Sequence, residues 1–128
     1  MNRNELPIFD LKKGLEIHEA DSESLKCFHD ACYFDIVNHK NELFTAIQQG
    51  DLKAADFYSD RILEYALYCG SPGLCSTGRK FMSAAHSRGS TVDSEEIQKL
   101  GIEYVKEMER FAEVWPHFRE ETRWRMLA

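Results

Sequence analysis

Ala46-Ile47-Gln48-Gln49-Gly50-Asp51-Leu52 is the stretch whose reading decides the fold. Gly50 suits the left-handed backbone that stops a helix, because it has no Cβ to clash there. Asp51 directly after it can accept a hydrogen bond from an orphan N–H of a new helix. A link this short forces the chain to reverse, so the spacing predicts an antiparallel helical hairpin. Upstream, Leu25, Phe28, Cys32, Ile36, His39, Leu43 and Ala46 recur at helical spacing, back to a cap at Asp21 or Ser22. Downstream, Leu52, Ala55, Ser59, Ile62, Ala66 and Cys69 form the inward stripe of the second helix.

The same punctuation continues outward. Gly70-Ser71-Pro72-Gly73 breaks the chain, with Pro72 tolerated at a first helical position. A third helix is expected from about Leu74 to His86, ending at Arg88-Gly89-Ser90, with Gly78 inside it for close helix packing. Asp93 and Glu96 make a capping-box pair for the last helix, and Val92 and Ile97 sit where a hydrophobic staple closes over it. Its inward stripe is Ile97, Leu100, Tyr104, Met108, Phe111 and Trp115, and Pro116 is expected to end or kink it. The tail from His117 to Ala128 carries Arg119, Arg123 and Arg125 alongside Phe118, Trp124, Met126 and Leu127, which suits a docking helix or an interaction arm. Asp10 to Ala20 reads as a short helix or turn that lids the bundle. The expected fold is therefore all-α. It is one domain over residues 1–128, an antiparallel four-helix bundle over about 21–115 with a short N-terminal lid helix.

Composition narrows the function. The chain has 128 residues, 43% of them hydrophobic and 30% charged, which fits a globular domain with a real core. The net charge of −6 argues against general binding to nucleic-acid phosphates. No apolar run approaches the roughly 18 residues of a membrane span, and Met1-Asn2-Arg3-Asn4-Glu5 lacks the apolar core of a secretion signal, so no membrane and a cytoplasmic location are expected. Cys27, Cys32, Cys69 and Cys75 contain no C-x-x-C pair and read as small reduced hydrophobes. No histidine pair has the spacing of a di-metal bundle, and no glycine-rich phosphate loop or nucleophile elbow occurs. No metal, cofactor or catalytic residue is expected. His39, on the inward stripe, is expected to be a hydrogen-bonded core residue.

Phe9-Asp10-Leu11-Lys12-Lys13-Gly14-Leu15, the long helix ending Ala46-Ile47-Gln48-Gln49-Gly50-Asp51, and Gly70 in Tyr68-Cys69-Gly70 resemble the pattern of the histidine phosphotransfer (Hpt) domains of bacterial phosphorelays. That family carries His-x-x-Lys-Gly in its second long helix. Counted from Gly50-Asp51, the histidine falls at Asp60, in Asp60-Arg61-Ile62-Leu63-Glu64. The five histidines are His18, His29, His39, His86 and His117, so none lies between 40 and 85. Phosphotransfer needs an exposed imidazole as nucleophile and a cation against the transferred charge. Asp60 and Leu63 offer neither. The resemblance thus implies a degenerate member that engages a receiver domain or a histidine kinase without transferring phosphate. The alternative is a helical adaptor or chaperone subunit unrelated to phosphorelays.

The outer side of the second helix carries the expected partner-binding surface: Asp56, Phe57, Asp60, Leu63, Glu64 and Leu67. Asp56, Asp60 and Glu64 fall at i, i+4 and i+8 and make an acidic ridge. Phe57, Leu63 and Leu67 lie close to it and off the inward stripe. Apolar residues outside a core and flanked by charge mark a contact surface, unless they pack under the lid or a neighbouring helix.

Overall fold

A computed structural model describes residues 8–86 and 94–120. They form five helices: α1 (Leu11–Ile17), α2 (Ser22–Gln49), α3 (Leu52–Cys69), α4 (Pro72–Ala85) and α5 (Ser94–Phe118). No strand occurs among the described residues, and none of their helices is long and apolar enough to cross a membrane.

The caps follow from side chains within one turn. Asp21 accepts from the Ser24 N–H and Asp51 from the Ala54 N–H, each at 3.1 Å. Gly50 and Gly70 both end their helices in the left-handed region, at φ +71° and +69°. Pro72 opens α4. The expected caps at Val92 and Asp93 and the stop at Arg88-Gly89-Ser90 lie outside the described residues.

Each long helix packs on two others, in the ring α2–α3–α4–α5–α2, and α1 lies against α3 and α2. The core fills the middle of that ring with Leu25, Ile36, Leu43, Ile62, Phe81, Tyr104, Met108, Phe111 and Trp115, all fully buried. The stripes expected on α3 and α5 supply their share, although Leu52, Ile97 and Leu100 are only half-buried. Gly78 lets α4 approach closely: a Cβ there would lie 2.9 Å from Leu63 Cδ1 and 3.0 Å from Tyr104 Cε1.

Two expectations need correction. His39 is not a core residue; it is half-buried over Tyr58, with ring centroids 5.7 Å apart. His29 takes the buried place instead, with Nδ1 donating to the Leu25 carbonyl at 3.0 Å and its ring stacked 4.5 Å from Trp115. Phe28 and His39 are eleven residues apart, which on a helix returns to nearly the same angle. Both therefore lie on the edge of α2 that meets α3, about 60° from the core direction. Pro116, second, does not end α5, which runs on to Phe118. Proline removes one N–H, and so close to a helix end only one intrahelical bond is lost. Burial of Trp115 and Phe118 and a bond from the Arg119 N–H to the Trp115 carbonyl (2.9 Å) hold the last turn. His117 and Phe118 thus belong to the helix rather than to a tail, and residues 121–128 lie outside the described part.

Asp30 ties this last turn to α2. It accepts from Trp115 Nε1 at 2.8 Å and from Arg119 Nε and a terminal guanidinium nitrogen at 3.0 and 3.1 Å. Burial pushes the Asp30 carboxyl up, but the bonds from Arg119 and Trp115 and the Arg119 charge outweigh it and hold the group below its ordinary value. A depressed folded pKa contributes stability above the unfolded value of about 3.9 that is lost as pH falls through the folded one. Asp30→Asn is expected to cost about 1 kcal/mol at pH 7, a modest figure because the pair is partly solvated. It should also flatten the acid limb of the stability curve below about pH 4. Urea unfolding of both proteins at pH 7 and pH 3 checks this; parallel acid limbs would remove Asp30 as the titrating group.

Candidate functional site

α3 presents two parallel rows to the outside. Lys53, Phe57 and Arg61 form one, and Asp56, Asp60 and Glu64 the other, each at intervals of four residues. The rows exist because the inward positions Ala55, Ser59, Ile62, Ala66 and Cys69 leave the opposite side free. Buried Ser59 is accommodated by donating to the Asp56 carbonyl at 3.3 Å.

Two concavities flank the acidic row and share Asp60. One, of about 610 Å³, is walled by His39 and Tyr58 on the α2 side and by Lys53, Phe57 and Arg61 on the other. The second, a groove of about 570 Å³, runs between α1, α3 and α4. Ile17, Leu63, Leu67 and Tyr68 give it an apolar floor, and Asp60, Glu64 and Arg79 edge it. Phe57 is 75% exposed, the most open large apolar side chain described. Ile17, Leu67 and Tyr68 are also exposed, so four large apolar residues crowd on this side.

The expected site residues therefore share one face, with one qualification. Leu63 is half-buried against Gly78 of α4 and serves packing as well as the groove. The acidic ridge is also not bare. His86 Nε2 lies 3.1 Å from Asp56 Oδ1, Arg79 shares the groove with Asp60 and Glu64, and Lys53 and Arg61 border the other side. Tyr65 and the Asp35 carboxylate, 3.7 Å away, reinforce the Arg61 charge. Lys53, Arg61 and Arg79 thus border the carboxylates of Asp56, Asp60 and Glu64, with Asp35 a fourth carboxylate beside Arg61, so the ridge is flanked by cations. Sequence reasoning missed Arg79 and His86 because both come from α4. Gly78 was the available signal: a close helix contact brings its neighbour Arg79 to the α3 side.

A second polar group lies inside. Cys32 and Cys69 are buried, Cys75 half-buried and Cys27 exposed, all as free thiols. The Cys69 thiol is drawn well below its ordinary value by the Cys32 thiol, against burial, with help from His29 and Ser71. Burial pushes Cys75 up to about 11. Among the described residues no group of three or more His, Cys, Asp or Glu side chains can hold a metal ion.

α1 closes the site from one end. The Asp10 N–H donates to the Gly70 carbonyl at 2.8 Å, and His18 Nε2 donates to the Tyr68 carbonyl at 2.8 Å. These bonds place Ile17 beside Leu67 and Tyr68 in the groove wall. Comparison with protein-family models, with curated proteins and with solved structures gives no match.

Proposed function

We propose that this chain is a binding protein on an Hpt-like scaffold. In this reading α2 to α5 are an antiparallel four-helix bundle, α1 is its lid, and the outer face of α3 engages a receiver domain or a histidine kinase without phosphotransfer. The observation that carries it is Phe57, fully presented beside Asp60 at the junction of two concavities. Exposed aromatic residues at the centre of a mixed polar and apolar patch are what partner surfaces use as anchors. Asp60 occupies the position where the resembling family carries its phosphorylated histidine. A carboxylate there can serve contact but not the relay, since it lacks the imidazole nucleophile. Arg61 and Arg79 line the two concavities that share Asp60, which weakens the repulsion that a receiver's acidic pocket would otherwise meet there.

The test uses purified receiver domains and histidine-kinase core domains, with and without phosphorylation, titrated calorimetrically. Saturable binding is expected, with no transfer of labelled phosphate to this chain. Phe57→Ala should weaken it about tenfold or more, the loss of roughly 1.4 kcal/mol that an anchoring aromatic carries at the least. Asp60→Lys with Glu64→Lys should also weaken it while leaving folding within about 1 kcal/mol, as surface changes usually do. Absence of binding to every receiver and kinase would end the phosphorelay reading and leave the helical adaptor. Phosphohistidine formed at His39 or His86 and lost on substitution to Gln would make the chain a relay protein.

A further inference from the structure

Cys32 and Cys69 face each other across the α2–α3 hairpin. Cys32 stands seventeen residues before Gln49, which ends α2, and Cys69 seventeen after Leu52, which begins α3. Antiparallel helices that rise equally per residue bring such positions to one level. Both side chains are fully buried, and the two thiols are hydrogen-bonded to each other. Cys32 Sγ also donates to the Ile62 carbonyl and Cys69 Sγ to the Ala66 carbonyl, each at 3.9 Å. Ser71 is the N-cap of α4 but makes no side-chain cap bond there. Its Oγ lies 3.2 Å from Cys69 Sγ instead. The Cys32 thiol first, then His29 and Ser71, hold the Cys69 thiol well below its ordinary value against burial, whereas burial above all holds Cys32 well above it.

We propose that Cys32 and Cys69 are a dithiol site that a hydroperoxide oxidises reversibly to a disulfide between α2 and α3, with α1 as the cover that lifts to admit it. The Cys69 thiolate attacks one peroxide oxygen, and the O–O bond breaks. Cys69 becomes a sulfenic acid, and the departing hydroxide takes up the proton that the thiol gave up. The Cys32 sulfur then attacks the sulfenic sulfur, and the S–O bond breaks. This second hydroxide leaves as water with the Cys32 proton, and the S–S bond is made. Two electrons pass from the two thiols to the peroxide, and with hydrogen peroxide both oxygens end as water.

α1 lies on the end of α3 that carries Cys69. A Cβ on Gly14 would stand 2.9 Å from the Cys69 carbonyl oxygen and 2.8 Å from Leu25 Cδ1. His18 fastens the far end of α1, with Nε2 donating to the Tyr68 carbonyl and Nδ1 accepting from Ser24 Oγ, each at 2.8 Å. α1 has seven residues, and a helix so short is stable only while it is docked. It therefore opens at a lower cost than the long helices beneath it. Cys75 is half-buried on α4, and burial pushes its thiol up to about 11, which makes it a poorer nucleophile than Cys69. The dithiol site does not depend on the reading of the outer α3 face.

The test treats the reduced, folded protein with hydrogen peroxide and maps the products by mass spectrometry. The expected product is lighter by two hydrogen atoms, carries a Cys32–Cys69 cross-link and returns to the starting mass with dithiothreitol. Cys32→Ala should stop the reaction at a Cys69 sulfenic acid that dimedone traps. Cys69→Ala should leave Cys32 unoxidised. The cross-link map uses the unaltered chain, so it decides even where an alanine variant folds poorly. His18→Ala, which frees α1, should speed bridge formation about threefold or more while α2 and α5 amides keep their protection from exchange. Three outcomes would each overturn the proposal. They are oxidation confined to Cys27 and Cys75, a bridge that joins Cys69 to Cys75, and a bridging rate that His18→Ala leaves unchanged.

Discussion

Trp115→Ala is expected to lower the stability of the protein by about 4 kcal/mol, a large part of the 5–15 kcal/mol typical of a domain. Trp115 is fully buried, its ring stacks on His29 at 4.5 Å and meets Phe9 at 5.6 Å, and its Nε1 donates to Asp30 at 2.8 Å. Alanine there removes the largest fully buried side chain and opens a cavity between α2 and α5. It also takes one of three donors from Asp30. Trp115→Phe separates the two effects. It keeps most of the volume, so its cost should approach that of the lost hydrogen bond, about 1 kcal/mol. Urea unfolding of the three proteins at pH 7 measures both. Equal costs for the alanine and phenylalanine variants would mean that the hydrogen bond and not the packing dominates.

Gly70→Ala comes next, with an expected cost of about 2–3 kcal/mol, concentrated on α1. Gly70 sits at φ +69°, where a Cβ costs about 1 kcal/mol or more. That Cβ would also lie 2.9 Å from the Asp10 carbonyl oxygen and 2.9 Å from the Gly14 nitrogen. Both are backbone atoms, so no rotamer change relieves the contact and overpacking adds roughly another 1–2 kcal/mol. The cheapest relaxation is for α1 to lift off α3. Amide exchange should then accelerate at Gly14 and His18, whose N–H groups bond to Asp10 and Gly14 (2.9 and 3.1 Å), while α2 and α5 amides stay protected. Because α1 carries Ile17 into the groove, a partner that uses this groove should bind less well to the same variant. Undiminished protection throughout α1 would show that Gly70 is needed for its backbone angle alone.

These two sites were unequally legible. Gly70 stood out as helix punctuation and as part of the family pattern. Its contact with α1 did not, since it joins Asp10 to a residue 60 positions away. Trp115 was placed on the inward stripe of the last helix, but Asp30 was not singled out. The candidate surface on α3 was readable as a stripe because a helix repeats every 3.6 residues and its inward positions are apolar or small. The basic groups beside its acidic ridge were not legible, because Arg79 and His86 reach it from α4. Glu19 and Ala20 were invisible too: both take left-handed φ values of 54° and 65° without being glycine or asparagine. The bonds from α1 to Gly70 and Tyr68 over-determine that link and hold it there.

The amino-acid sequence by itself determined where most helices begin and end and which side of α3 turns inward. Asp21, Asp51, Gly50 and Pro72 act on backbone groups within a turn of themselves, so no distant residue is needed to fix their effect. Only the tertiary structure decided that His29 rather than His39 is buried and that α5 continues through Pro116. It alone decided that Asp30 binds Arg119, 89 residues away, and that Arg79 and His86 reach the carboxylates of α3. Each of these depends on which neighbour a helix meets, and for His29 and His39 the choice turns on a difference of about 60° in facing. Periodicity does not resolve that angle, and packing does.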